Sequence, residues 1–161
     1  MQPTDAPINN DETPVSAEEN LLRRSPNSPD YFNYKENRAL AVAFLPQEHD
    51  FDGLSLNREG ELFESAESVL EKALNENTKK NGGVFAVQCR DVIGLGLTAK
   101  PSPCPESRGH IVIPELNRRD YDKKADTGTP SEKQKIKALA DKLARLSTVR
   151  IRPKPKISAN S

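Results

Sequence analysis

The chain has 161 residues, 34% of them hydrophobic and 30% charged, with 13 prolines and no formal net charge. That length holds one domain rather than two, and the low apolar content points to a folded centre diluted by polar ends. Charge is balanced only globally: residues 1–30 carry six acids against two arginines, and residues 131–161 carry nine Lys or Arg against two acids.

Residues 1 to about 28 mix Pro, Asn, Asp, Glu and Ser with almost no aliphatic pattern, and are expected to be a disordered acidic tail. They contain no apolar core of the signal-peptide kind, and no run in the chain approaches a bilayer span, so a cytoplasmic protein with no membrane partner is expected. The domain is expected over 29–152. Tyr31, Phe32 and Tyr34 would anchor its start on the core. Residues 38–45, RALAVAFL, have the length of a buried strand ending at Pro46. An acidic loop, 47–53, closes on the turn signal Asp52-Gly53. Residues 54–58, LSLNR, alternate as a half-exposed strand that sets Ser55 and Asn57 on one face.

From Glu61 to about Lys80, Leu62, Phe63, Ala66, Val69, Leu70, Ala73 and Leu74 recur at the spacing of one buried helix face, and Gly82-Gly83 ends the element. Residues 84–89, VFAVQC, form a core strand. Residues 91–96 make a turn or a single helical turn; their Gly-Leu-Gly lacks the dinucleotide fingerprint. Residues 97–100 read as a strand, and His110–Ile113 as another, entered through a turn that Gly109 permits. Residues 117–130 form a charged loop. Thr129, Pro130 and Glu132 then compose a capping box for a helix whose stripe is Ile136, Leu139, Ala140, Leu143 and Leu146. A short strand over 148–152 precedes a basic tail, 153–161. The sum is an α+β domain: a small mixed sheet of about four to six short strands, covered on one face by two amphipathic helices. The strand–helix–strand passage around the first helix would be right-handed if its strands are parallel.

Chemistry is sparse. The strand ends carry Arg58, Arg90 and Arg108 near His110, a set that would bind phosphate or carboxylate if the ends meet at one rim, with Ser55 alongside. His110 is the candidate for any proton transfer. The plainer alternative makes each arginine an edge residue whose stem covers apolar surface. Cys89 or Cys104 would need proximity to His110 to act as nucleophile. With His49 they have the wrong spacing for a zinc knuckle, and Asp50-Phe51-Asp52-Gly53 lacks the order of a calcium loop, so no metal and no cofactor are expected. Two thiols without a disulfide framework suit a reducing compartment. The absence of a catalytic motif favours a non-enzymatic interaction module with a protein partner. The alternatives are a small enzyme or sensor holding an anionic ligand at the His110 rim, and a nucleic-acid binder using the basic C-terminal helix and tail.

Overall fold

A computed structural model describes residues 12–123 and 132–156. Its central element is strand β1, Asn20–Ser25, with Leu21 and Leu22 both fully buried. This overturns the expectation of a disordered tail reaching residue 28. The other strands of the same sheet are β4 (Leu54–Arg58), β5 (Gly83–Gln88), β6 (Lys100–Pro101), β7 (His110–Ile113) and β8 (Thr148–Ile151), in the order β6-β7-β4-β1-β5-β8. A two-stranded ribbon, β2 (Phe32–Asn33) with β3 (Arg38–Ala39), stands beside it.

The sheet is not mixed: every hydrogen-bonded pair of strands in it is antiparallel. β4 and β5 do run in the same direction, but β1 lies between them and is antiparallel to both. A parallel ladder between β4 and β5 is thereby replaced by two antiparallel ones.

The expected helix over 61–80 is two short helices, α1 (Ala66–Glu71) and α2 (Glu76–Asn81). Asn75 explains the break. It caps α2 by accepting the Thr78 N–H, and an N-cap residue must leave helical backbone, here at φ −83° and ψ 122°. Leu74, read as part of the buried face, is fully exposed in the link. Ser65 and Ser68 box the start of α1 reciprocally.

The apolar run over 38–45 is likewise not one continuous strand. It gives β3 and then a 3₁₀ turn, Ala41–Phe44, since a short apolar run has no period that separates strand from helix. The strand expected over 97–100 shrinks to the two residues of β6. The turn at 91–96 belongs to helix α3, Cys89–Gly94, and part of the charged loop forms α4, Arg118–Tyr121. The last helix, α5, runs Glu132–Leu146 with Ile136, Ala140 and Leu143 buried, but Leu146 is half exposed. Its expected cap at Thr129 and Pro130 lies outside the described residues, as do residues 1–11 and 157–161.

Helices cover both faces of the sheet, not one. Leu21, Leu54, Leu56, Phe85, Val87, Ile111 and Ile113 join α5, the 3₁₀ turn and Phe32 in the larger core. Leu22, Val84 and Ala86 face the other way, onto Ala66, Val69 and Leu70 of α1. Each fully buried Leu contributes roughly 1.5–3 kcal/mol. Phe32 stacks on Phe85 with centroids 5.6 Å apart, and Tyr34 meets Phe32 edge-on at 4.9 Å, so the aromatic anchor is present.

The start of the basic tail is docked rather than free. Pro153 is buried, its ring lies where a Cβ on Gly83 would clash, and the Lys154 N–H donates to Asn81 O at 2.8 Å.

Candidate functional site

The ladder between β1 and β4 is short. It pairs Leu21 with Arg58 and Leu22 with Asn57 and then stops, while on its other side β1 pairs along its whole length with β5. Beyond Leu22, side chains take over from strand pairing. Arg23 donates through Nη1 to Ser55 O at 2.9 Å, and the Ser55 N–H donates to Asp50 Oδ1 at 3.2 Å. Arg23 and Asp50 close this arrangement with a 3.2 Å ion pair, and the Asp50 side chain has no exposed surface. Asp50 also accepts from Gln47 N, and Arg23 Nε donates to Ala43 O. Both ions are therefore paired and hydrogen-bonded, the condition under which burial of charge is tolerated.

A cleft of about 600 Å³ opens where the strands part. Its floor is made of sheet residues: Arg24 from β1, Ser55 and Asn57 from β4, and His110 from β7. Asn57 and His110 are register partners. The link from Lys72 to Asn75 forms one wall, with Tyr31, Ala43 and Gln47 among the other lining residues.

Three cations line the cleft, and two are neutralised. Arg23 has Asp50. Lys72 has Glu64, and donates as well to Glu106 O. Arg24 is different: its Nη1 donates to Val69 O at 2.7 Å, and no acid pairs with it among the described residues. Burial, and then the charge of Arg23, push its pKa below the ordinary guanidinium value. Glu106, exposed, is the single acid among the described lining residues.

His110 Nδ1 lies 2.8 Å from Ser102 O. A carbonyl oxygen only accepts, so Nδ1 carries a proton and Nε2 is the nitrogen left for a ligand. Ser107 Oγ donates to Asn57 Oδ1 at 2.7 Å, leaving the Asn57 amide nitrogen as a donor. Ser55 Oγ has no hydrogen-bond partner among the described residues. A half-buried cation, an amide N–H and a hydroxyl together suit an anion, and the accepting Nε2 beside them suits one that keeps an O–H.

Of the residues singled out from sequence, the structure brings His110 and Ser55 to this cleft and leaves Arg58, Arg90 and Arg108 out of it. Arg58 is one residue from Asn57, and strand alternation sends it to the opposite face. There it is 3% exposed, pairs with Glu19 and lies over the Phe63 ring. Arg90 is on α3, exposed, and reaches Glu18 at 3.5 Å. Arg108 is exposed on the loop before β7.

Gly109 does lie in the turn that enters β7, and close packing is what requires a glycine there: a Cβ would sit 2.9 Å from Phe63 Cβ. Neither thiol lines the cleft. Cys89 is buried, and that burial, followed by the Glu19 charge, pushes its pKa up, away from reactivity.

The residues that sequence reasoning missed are Arg24, Asn57 and Lys72, together with His49 on the far wall. Asn57 had a signal, since it shares a strand face with Ser55. Arg24 had none once residues up to 28 were read as a tail.

Among the described residues the exposed large apolar ones are Phe51, Leu62, Leu74, Ile93 and Leu146, no two on the same element. Among the described residues no helix is long and apolar enough to cross a membrane, and no cluster of His, Cys, Asp and Glu suits a metal. No protein-family model, curated protein or solved structure matches the chain.

Proposed function

We propose that this protein is a ligand-binding module whose cleft between β1 and β4 takes a small anionic molecule bearing phosphate or carboxylate. The observation that carries this reading is Arg24, a half-buried cation on the cleft floor with no acid paired to it among the described residues. A bound anion would supply the missing charge, and a concave, partly desolvated site strengthens that attraction over the value in water. Ser55 and the Asn57 amide would complete the donor shell, and His110 Nε2, the accepting nitrogen while Ser102 O holds the proton on Nδ1, would take a hydrogen bond from a P–OH of a singly protonated phosphate.

The test is an amide NMR titration at low salt with inorganic phosphate, pyrophosphate and acetate. Saturable shifts confined to Arg24, Ser55, Asn57 and His110 are expected for at least one of the three, and Arg24→Gln abolishes them. Shifts that never saturate, or that survive Arg24→Gln, would end this reading.

A further inference from the structure

The cleft is polar on its sheet floor and mixed above it, where Pro26, Tyr31, Ala43, Ala73 and Leu74 supply apolar lining among Gln47, Lys72, Asn75 and Thr78. The volume, about 600 Å³, is in the range that encloses a drug-sized molecule and far more than a bare phosphate or acetate fills. Leu74 adds an independent argument. It is fully exposed at the cleft although the neighbouring Leu70 and Ala73 are buried. Its position follows from Asn75, whose capping role breaks the helix that would otherwise have turned Leu74 inward. A leucine held in water beside an apolar wall contributes nothing to folding and gains its burial only from something in the cleft.

We infer, resting on the anion-binding reading above, that the ligand is amphipathic: a free small molecule joining a phosphate or carboxylate head to an apolar aliphatic or aromatic body. The head meets Arg24 and the polar floor, and the body lies along the Ala73–Leu74 wall.

The experiment is isothermal titration of the intact chain with n-alkyl phosphates from methyl to hexyl, and with n-alkanoates from acetate to hexanoate. In the series with the preferred head, Kd is expected to fall about fourfold per added methylene. Leu74→Ser should lessen that gain, and Ile93→Ser, exposed on α3 and away from the cleft, should leave it intact. An affinity that stays flat along both series while the shortest member still binds through Arg24 overturns the amphipathic ligand and leaves the anion site standing. Failure of every member of both series overturns both. Hexanol binding as tightly as hexyl phosphate overturns the anionic head. Phosphatidylcholine vesicles with and without phosphatidic acid separate the sources: sedimentation with the acidic vesicles, without binding of free hexyl phosphate, overturns a free ligand in favour of a lipid surface.

Discussion

Along its β5 flank, strand β1 pairs residue for residue from Asn20 to Ser25, while along its β4 flank it pairs only through Leu21 and Leu22. The first joint is backbone, each hydrogen bond contributing about 0.5–1.5 kcal/mol net and leaving no space between the strands. The second has backbone bonds only around Asn20 to Leu22 and is otherwise built of side chains. At one end Arg58 grips Glu19 across the strands, and at the other Arg23 and Asp50 satisfy the backbone of Ser55. Side chains hold strands apart as well as together, so the side-chain joint has a cleft and the backbone joint has none. The same difference separates two adjacent arginines. Arg23 is consumed by the joint, and Arg24 is left to face the cleft.

The largest effect should come from breaking the side-chain joint. Asp50→Ala leaves Arg23 buried without its counter-charge and strips Ser55 N of its acceptor, and is expected to cost about 3–5 kcal/mol in urea denaturation. A loss below about 1 kcal/mol would mean that the pair does not hold the strands. Replacing both partners with apolar residues sharpens the point. Such swaps are often neutral elsewhere, but here Ser55 N–H and C=O would still lose their partners, so recovery should be incomplete. On the backbone joint, Leu22→Ala opens a void against α1 and should cost about 3 kcal/mol, without altering anion shifts in the cleft.

How much of this was legible in the sequence follows from which residues carry the pattern. Strands β4, β5 and β7 announce themselves because their alternation or apolar runs are dense, and α5 because its stripe spans about three turns. β1 does not, because NLLRRS has only two apolar residues in six. Its arginines lie on the two faces of the sheet and bind through their guanidinium groups, a use of charge that hydropathy cannot see. Missing β1 then cost the topology. With no strand to place between β4 and β5, the sequence implies a mixed sheet with both helices on one face. The site suffered likewise. His110 and Ser55 are legible from their strands, but the arginines the sequence offers beside them are Arg58, Arg90 and Arg108 at strand ends, and the one in the cleft is Arg24 of β1.

A smaller effect tests the cleft wall. Ser65 accepts the Ser68 N–H at 3.0 Å and starts α1, whose far end carries the Val69 carbonyl that receives Arg24. Ser65→Ala is expected to cost about 1 kcal/mol. Because α1 is only six residues long, fraying should reach Val69, so the Arg24 resonances should move even though Ser65 does not line the cleft. Unchanged Arg24 resonances with the same loss of stability would separate the helix cap from the site.

The last and smallest effect probes the closed end of the same joint by pH. Burial alone would raise the pKa of Glu19. The two Arg58 hydrogen bonds, both at 2.7 Å, the Ser16 N–H and the Arg58 charge outweigh it, and the carboxyl lies below its ordinary value of 4.5. A carboxyl lowered in the folded state binds its proton more readily when unfolded. Its contribution to stability is therefore complete above that ordinary value, and declines as the pH falls through the lowered one. Glu19→Gln should be less stable than the native chain at neutral pH, and the gap should close in acid. Urea midpoints for both chains from pH 7 to about 3 measure it. A gap that is constant over that range would assign the contact to packing rather than charge. Arg58 also holds Thr13 O and Pro14 O, so loss of the Glu19 charge should speed amide exchange over residues 12–19 before it touches β5. That order is what a side-chain joint beside a backbone joint requires, since acid reaches the carboxylate of the first and has no group to protonate in the second.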